Sequence, residues 1–317
     1  MSGRLGRSLG LDLLGRRVCS MNCVYCESGV LEQLTLARKP YVPAAELLAE
    51  LSAWEAARQA SGEPKPEVVS LGGLGEPTLN SDLPAIIAGV RRILPGVPVA
   101  VLTNSSLMTD PAVRVELAAA DIVLPSLDSL VPAEFAAVNR AHPGLDPNVI
   151  AEGILAFCQG SQASHIKVFL EILLVAGLND SAQNLELLAA FCNRLQPDRV
   201  DVVTLSRPGT EKGARPVDPA ILARWRARLG FAAANAGTRL AECAKNGHKQ
   251  NGCMLPDEIR PRLLASLARR PQTGAQLAEA LLVDQDALSS VLAELVRAGR
   301  IAVRWQDGQE YYQARSA

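Results

Sequence analysis

The sequence has no long hydrophobic run. Its longest apolar stretches, such as ILPGVPVAVL at 93–102, extend about ten residues and contain prolines, whereas a membrane-spanning helix needs about 20 apolar residues. The first residues, MSGRLGRSLG, contain no apolar core of the kind that a signal peptide requires. These two absences predict a protein of the cytoplasm.

The sequence also lacks an excess of charge of either sign. It contains 32 Lys and Arg against 33 Asp and Glu, so the formal net charge is −1 and the whole molecule offers no broad attraction for nucleic acid. Hydrophobic residues make up 48% and charged residues 21%, which is typical of a globular protein. A length of 317 residues predicts one large domain or two smaller ones.

Cysteine is scarce, with seven in the chain, yet three lie in VCSMNCVYCESG at 18–29, here called the cysteine loop. The odd total and the tight spacing are unlike a disulfide framework and favour a reducing compartment. The Cys-x3-Cys-x2-Cys spacing brings three thiolates together and leaves one position open on a bound metal or iron–sulfur cluster. A redox pair, a zinc site with a distant fourth ligand and three buried cysteines remain alternatives.

Strand-like and helix-like segments alternate along the first two thirds of the chain. Helices are predicted at 41–59, 81–94, 110–120, 148–160 and 180–195, and strands at 8–14, 67–73, 97–104, 121–128, 166–175 and 199–206. This order is typical of an α/β fold with a parallel sheet and right-handed crossovers. Six units are too few for an eight-stranded barrel, so we predict a partial (β/α)6 barrel of the TIM type over residues 1–230. Ligands of such sheets lie at the carboxyl ends of the strands.

Cys19, Cys23, Tyr25 and Cys26 follow the first predicted strand and resemble the signature of the radical S-adenosylmethionine (SAM) superfamily. The wider text, GRLGRSLGLDLL at 3–14 and SLGGLGEPTL at 70–79, resembles a subgroup that includes wyosine-type tRNA-modifying iron–sulfur oxidoreductases. The resemblance covers roughly residues 3–208.

The resemblance implies a [4Fe–4S] cluster held by Cys19, Cys23 and Cys26, with SAM on the fourth iron. One-electron reduction would cleave SAM to methionine and a 5′-deoxyadenosyl radical, which would abstract hydrogen from a substrate. The flavodoxin-like module of the wyosine-type enzymes is not found in this sequence, so we expect an external ferredoxin or flavodoxin as electron donor.

The segment GGLGEPT at 72–78, here called the glycine loop, follows the second strand. Its glycines allow the backbone to approach a ligand closely. By resemblance it is the segment that binds the SAM amino group, which makes Gly73, Gly75 and Glu76 candidate cofactor contacts. A plain turn between strand and helix is the alternative, with Glu76 as a charge at a helix N-terminus.

Polar residues at the ends of the later strands are further candidates for holding SAM. Asn104 follows the third strand, and Ser126 and Asp128 follow the fourth; each suits a hydrogen bond to the ribose or the methionine carboxylate, or else caps its own loop. Glu171 alternates with apolar residues on the fifth strand and is expected to point into the barrel. Arg207 closes the sixth strand, where a guanidinium could meet a carboxylate or a phosphate.

The remaining cysteines carry weaker signals. Cys158 and Cys192 lie on apolar helix faces and are predicted to pack in the core. Cys243, His248 and Cys253 fall in a polar stretch, within a connecting segment at 231–256, and could bind a second metal or cluster or form a substrate loop.

Residues 257–317 predict a separate winged-helix domain. Apolar residues mark three helices, and RIAVRWQDGQEYY at 300–312 alternates around an Asp-Gly pair, a signal for a β-hairpin. Basic and acidic residues are equal in number there: Arg260, Arg262, Arg269, Arg270, Arg297, Arg300, Arg304 and Arg315 against Asp257, Glu258, Glu279, Asp284, Asp286, Glu294, Asp307 and Glu310. An acidic third helix disfavours duplex DNA.

The hairpin, or wing, with its arginines and aromatic residues, is therefore the better contact surface. We favour a peptide or protein partner for this domain, with structured RNA as another candidate. The sequence thus predicts a radical SAM enzyme whose substrate is an RNA nucleoside or a peptide. The alternative is a winged-helix regulator that senses SAM or a cluster without turnover.

Overall fold

The computed structural model describes residues 5–160, 165–230, 256–281, 283–306 and 308–315. The predicted alternative of a second metal site at Cys243, His248 and Cys253 lies outside the described residues and stays a prediction. Within the described part of the chain, no helix is both long enough and apolar enough to cross a membrane.

The first part of the chain alternates strands and helices, as the sequence predicts. Its elements are β1 (Ser8–Asp12), β2 (Val18–Cys19), β3 (Gln33–Leu34), α1 (Ala44–Ser61), β4 (Val68–Gly72), a 3-10 turn (Pro77–Leu79), α2 (Leu83–Ile93), β5 (Val99–Thr103), α3 (Pro111–Leu117), β6 (Ile122–Pro125), α4 (Pro132–Asn139), α5 (Pro147–Gln159), β7 (Lys167–Leu174), α6 (Ala182–Leu195), β8 (Arg199–Thr204) and α7 (Pro219–Leu229).

Six of these strands form one parallel sheet in the order β1-β4-β5-β6-β7-β8. Each of them corresponds to one of the six predicted strands, so the α/β fold with a partial (β/α)6 barrel is confirmed. The short strands β2 and β3 pair separately, with Cys19 opposite Leu34.

The main core lies between the sheet and the helices that cover its outer face. Strand β7 illustrates this arrangement. Val168, Leu170, Ile172 and Leu174 are buried, whereas the residues between them are less buried. A period of two places these four side chains on the helix-covered face. Full burial of each such side chain contributes roughly 1.5–3 kcal/mol, so the outer face holds the barrel together.

The eight-residue helix α4 is one of the elements of the barrel part that were not predicted from the sequence, together with β2, β3, the 3-10 turn and α7. It begins at Pro132, whose fixed φ suits the first helical position, and it ends at Arg140 with a φ of 45°. Only Phe135, Val138 and Asn139 are buried along it. Two turns with three buried residues give too weak a helical period to stand out in the sequence.

The C-terminal part contains three helices followed by an antiparallel hairpin, the element order that the sequence predicts. The elements are α8 (Pro256–Arg269), α9 (Gly274–Leu281), α10 (Gln285–Arg297), β9 (Ile301–Gln306) and β10 (Gln309–Ala314). The helices share a small core that includes Leu263, Leu277, Leu292 and Ile301. The Tyr311 hydroxyl donates to the Ser206 carbonyl oxygen at 2.8 Å, so the hairpin touches the end of the barrel chain.

Candidate functional site

The carboxyl ends of the parallel strands bring the predicted site residues to one edge of the barrel. The cysteine loop follows β1 and begins with β2, the glycine loop follows β4, and Asn104 follows β5. Ser126 and Asp128 follow β6 at the same edge. Because all six strands run in one direction, segments far apart in sequence meet there.

The cysteine loop holds its three thiols in a partly buried setting. Cys19, Cys23 and Cys26 are each half-buried, and the Cys26 amide donates to the Cys23 carbonyl oxygen at 3.1 Å. Burial, aided by the nearby Glu76, raises the pKa of the Cys19 thiol to about 12. Burial and the neighbouring Asp128 raise the pKa of Cys23 well above its usual value. A bound cationic centre would supply the charge that thiolates need here.

Two side-chain amides point at these sulfur atoms. Asn104 Nδ2 lies 3.4 Å from Cys19 Sγ and 2.9 Å from Ser20 Oγ. Asn139 Nδ2 lies 3.5 Å from Cys23 Sγ and 2.7 Å from Asp128 Oδ2. A side-chain amide carries two N–H groups, so each asparagine gives one to an oxygen acceptor and one to a sulfur. The loop is therefore built to stabilise negative charge on two of its three sulfurs.

The carboxylate of Asp128 fixes the position of the cysteine loop relative to β7. Its Oδ2 accepts from the Tyr25 hydroxyl at 2.5 Å and from Asn139, and its Oδ1 accepts from the Leu173 amide at 2.9 Å. Burial raises the pKa of Asp128, and these donors act in the opposite direction. Burial and Asp128 also raise the pKa of Tyr25 well above its usual value. Both oxygens of this predicted SAM contact are thus engaged by protein donors.

The glycine loop lies directly against the strand that leads into the cysteine loop. A Cβ on Gly75 would fall 1.7 Å from the Val18 carbonyl oxygen, which also accepts from the Glu76 amide at 3.2 Å. Gly73 has a φ of 112°, and a Cβ there would fall 2.2 Å from Asp12 Oδ1. Both positions therefore require glycine, Gly75 for the close approach and Gly73 also for its backbone conformation.

The buried carboxylate of Glu76 ties the glycine loop to the end of β5. Its Oε1 accepts from the Thr78 and Thr103 hydroxyls at 2.6 and 2.7 Å. Its Oε2 accepts from the backbone N–H of Asn104 at 2.6 Å. Burial raises the pKa of Glu76, although these donors offset part of that effect. Through these hydrogen bonds, Glu76 fixes the position of the glycine loop, which is the predicted ligand-binding segment.

Ser126, Glu171 and Arg207 are the remaining predicted contacts. Ser126 forms an isolated parallel bridge with Glu171, whose carbonyl oxygen accepts from the Leu127 amide at 3.0 Å. Arg207 Nη1 lies 3.7 Å from Glu27 Oε2, one residue after Cys26. Arg207 Nη1 and Asn139 Oδ1 are buried, and neither finds a hydrogen-bond partner among the described residues. A donor and an acceptor left open beside the cysteine loop are suited to a polar ligand.

Asn139, Thr103 and Ser20 are site residues that were not predicted from the sequence. Asn139 lies on the unpredicted helix α4, and Thr103 is the last residue of an apolar strand. The proline at the start of α4 is the one local signal that could have pointed to that helix. Nothing in the sequence signals the contact between Asn139 and Cys23, which are 116 positions apart.

Residues 16–188 of this chain match the Radical SAM superfamily. The chain is also similar to a UPF0026 protein of Helicobacter pylori, with 37% identity over 216 residues that cover 68% of this chain and 67% of that protein. A protein named GTPase Obg from Brachyspira hyodysenteriae is 27% identical over 302 residues, or 95% of this chain and 42% of that protein. This chain thus spans less than half the length of that relative.

Two solved structures share the fold. A radical SAM methyltransferase from Sphaerobacter thermophilus has a TM-score of 0.52 and 17% identity, covering 70% of this chain and 62% of that one. Streptococcus suis SuiB bound to the precursor peptide SuiA has a TM-score of 0.50 and 18% identity, covering 81% of this chain and 51% of that one.

The family match covers more than half of the chain and contains the cysteine loop, the glycine loop and the polar residues after β5 and β6. The six-stranded parallel barrel agrees with the fold of both solved structures. This chain therefore belongs to the radical SAM superfamily, whose enzymes use a [4Fe–4S] cluster and S-adenosylmethionine.

Proposed function

We propose that this protein is a radical SAM enzyme whose cluster is held by Cys19, Cys23 and Cys26. When bound, the cluster supplies the one electron, taken from an external donor, that cleaves SAM to methionine and a 5′-deoxyadenosyl radical for hydrogen abstraction. The observation that carries the proposal is the cysteine loop at the barrel mouth, with amide donors directed at two of its sulfurs.

The donor set of the cysteine loop fits an iron–sulfur cluster. Three thiols on one loop are available, and hydrogen bonds to sulfur are among the features that tune such clusters. No three His, Cys, Asp or Glu side chains in the described ranges are grouped so that they could hold one metal ion. The cysteines of a cluster do not need to converge in that way, because each of them bonds a different iron.

We assign SAM to the space bounded by the glycine loop and the strand ends of the barrel. Gly73 and Gly75 expose backbone that can approach the amino acid part of SAM, and Glu76 holds that loop in place. Arg207 has a buried guanidinium nitrogen that makes no hydrogen bond within the described residues, and its nearest carboxylate is Glu27 at 3.7 Å. The other candidate contacts in this assignment are Asn104, Ser126, Asp128 and Glu171.

The substrate we propose is an RNA nucleoside or a peptide. Membership of the wyosine-type subgroup would favour an RNA substrate. A peptide substrate is supported by SuiB, a structural neighbour that was solved with a precursor peptide. We assign residues 257–317 to a winged helix that docks the substrate, after the barrel at 1–230 and the connection at 231–256. The electron donor is a ferredoxin or a flavodoxin. The proteins to which the chain is similar give no support to the regulator alternative.

The direct test is an anaerobic assay of the reconstituted protein with SAM and dithionite, scored for 5′-deoxyadenosine by mass spectrometry. We expect 5′-deoxyadenosine to form only when cluster, SAM and reductant are all present, and to increase when the true substrate is added. A protein that binds the cluster and SAM but forms no 5′-deoxyadenosine, with RNA and peptide pools also tested, would contradict the proposal.

Asn139→Ala should shift the reduction potential of the cluster to a more negative value. The Asn139 amide donates to Cys23 Sγ, and a donor to sulfur stabilises the reduced cluster, which carries the extra electron, more than the oxidised one. If the lost hydrogen bond differs by about 1 kcal/mol between the two states, the shift is roughly 40 mV for one electron.

A redox titration followed by electron paramagnetic resonance measures this shift. Asn193→Ala, an equivalent change at an exposed position on α6, is the control and should leave the potential unchanged. If Asn139→Ala retains the cluster and the wild-type potential, the amide does not act on the cluster sulfur.

A further inference from the structure

A surface cavity of about 460 Å³ leads from solvent to the cysteine loop. Its floor includes Val24, which lies between Cys23 and Tyr25 and is 1% exposed. Its walls come from α4, from the turn that follows β7 and from the turn at 211–214. Most of the wall side chains are small: Ala136, Ala137, Ala176, Gly213 and Ala214. We call this space the loop cavity, and it admits a partner group to the cysteine loop.

The rim of the loop cavity is attached directly to the backbone of the cysteine loop. The Glu211 amide donates to the Val24 carbonyl oxygen at 3.1 Å. A Cβ on Gly209 would fall 2.8 Å from Tyr25 Cα, so this segment lies against the loop with no side chain between them. A group that contacts the floor of the loop cavity at Val24 therefore lies one residue from Cys23, a proposed cluster ligand.

Positive charge exceeds negative charge around the loop cavity. Arg140 and Glu211 on its walls form an ion pair, with Nη2 3.0 Å from Oε2. Lys212 and Arg215 are exposed beside Glu211, and neither forms an ion pair with another described residue. Asp180, the acid that follows the wall after β7, accepts from a backbone amide. The rim therefore carries two unpaired cations, which favour a partner with an acidic surface.

The loop cavity is separate from the predicted SAM contacts. Among the described residues that line it, none is a candidate SAM contact. Its walls follow β6, β7 and β8, whereas the glycine loop follows β4, toward the opposite edge of the sheet. A partner in the loop cavity would therefore leave the glycine loop accessible to SAM.

The proposed chemistry requires a partner that delivers one electron to the cluster. A flavodoxin fits the shape and the charge of the loop cavity. Its flavin lies at the carboxyl ends of its strands, with the apolar dimethylbenzene edge exposed and carboxylates around it. Such an edge suits a cavity lined by alanine and glycine, and the carboxylates suit Lys212 and Arg215. The cluster of a ferredoxin is enclosed by its cysteine-bearing loop and presents no such edge.

We propose that the loop cavity, with Lys212 and Arg215 on its rim, is the docking site of an acidic flavodoxin that reduces the cluster through Cys23. This inference rests on the proposed function, because it names the partner and the entry point of the electron used there. The anionic, fully reduced flavin gives up one electron and becomes its neutral radical, the cluster charge falls by one, and no proton moves. The two cations orient the flavin edge toward Val24.

Anaerobic rapid mixing of reduced flavodoxin with the full-length, cluster-loaded protein tests the inference. Appearance of the neutral flavin radical gives a second-order rate constant, measured over a range of salt. Lys212→Glu and Arg215→Glu should each lower it by roughly tenfold at low salt and by less at high salt, because salt screens the attraction. Ala176→Trp, which fills the loop cavity, should lower it several-fold at every salt concentration.

Calorimetric titration with oxidised flavodoxin measures docking without electron transfer, and affinity should fall in the same three variants. Lys65→Glu is the matched control, because it makes the same change in net charge at an exposed position before β4, at the opposite end of the barrel. It should bind and react as the wild type does. Excess dithionite, which needs no docking site, should reduce all four variants to the same extent.

Equal rate constants and equal affinities for the wild type, Lys212→Glu and Ala176→Trp would overturn the inference. The same conclusion would follow if a ferredoxin bound more tightly than flavodoxin and lost affinity in the same variants, because the partner would then be misassigned.

These measurements involve no SAM cleavage, so they separate this inference from the function on which it rests. If dithionite supports 5′-deoxyadenosine formation but flavodoxin does not dock at the loop cavity, the docking site is wrong and the radical chemistry stands. If flavodoxin docks through Lys212 and reduces the cluster but no 5′-deoxyadenosine forms, the docking site stands and the proposed chemistry is wrong.

Discussion

Cys23→Ala should lose the brown iron–sulfur chromophore and lower 5′-deoxyadenosine formation by more than about a hundredfold. Removing a residue that only hydrogen-bonds to a metal ligand lowers metal affinity or activity by about 10–100-fold. Removing a ligand itself should lower them further. Cys23 sits at the centre of the loop, where it also receives the Asn139 amide. Ultraviolet–visible absorption, iron analysis and the 5′-deoxyadenosine assay measure the effect.

Cys158→Ala is the matched control for this variant. Cys158 is a half-buried thiol on α5, and burial together with Asp198 raises its pKa to about 12, much as burial does for Cys19. It lies outside the cysteine loop, so its removal should leave iron content and product formation at wild-type levels. Retention of iron and activity by Cys23→Ala would remove the basis of the proposed cluster site.

Gly75→Ala should distort the mouth of the barrel more than any other single methyl group added to the glycine loop. The new Cβ would lie 1.7 Å from the Val18 carbonyl oxygen and 2.7 Å from Leu14 Cδ1. Backbone cannot rotate away as a side chain can, and Val18 is fixed by its pairing with Gln33 in β2 and β3. Either the glycine loop or the strand that carries Cys19 must therefore move.

We expect this change to lower the thermal midpoint by on the order of 10 °C, in the range of the most disruptive single substitutions. Displacement of the loop would also weaken SAM binding, because Glu76 follows Gly75 and anchors the loop at Thr103. Calorimetry measures the first effect, and equilibrium binding of SAM to the cluster-loaded protein measures the second.

Gly213→Ala serves as the comparison, since a Cβ at this exposed position has no atom within 4 Å and its φ is not positive. Its thermal midpoint should change by only about 2 °C. A Gly75→Ala protein with wild-type stability and SAM affinity would show that the close approach to Val18 is not required.

The order of strands and helices in the barrel was predictable because each element has its own local sequence pattern. Each strand is a short apolar run, and the helices between them carry their own period, so the α/β order can be read in sequence. The cysteine and glycine loops are likewise contiguous motifs whose spacing carries their chemistry. For the same reason the hairpin around Asp307 and Gly308 was predictable from a turn signal and two alternating strands.

The contacts around the cysteine loop were decided by tertiary structure. Asp128 reaches Tyr25 across 103 positions, a pairing set by the register of β6 against its neighbours and by the path of the loop that follows it. The hydrophobic period of a strand or helix does not indicate which residues 103 positions apart will meet. The sequence marked Asp128 as a polar residue at a strand end, and the fold shows its carboxylate held by Tyr25, Asn139 and the Leu173 amide.

What the amino-acid sequence by itself determined is the order of the six main strands, the fold class and the two contiguous loops that follow the first two of those strands. Only the tertiary structure decided which side chains meet around these loops, as the contacts of Asn139 with Cys23 and of Asp128 with Tyr25 show. The physical reason is that hydrogen bonds and charge separation depend on distances in space, whereas local patterns fix only the conformation of each segment.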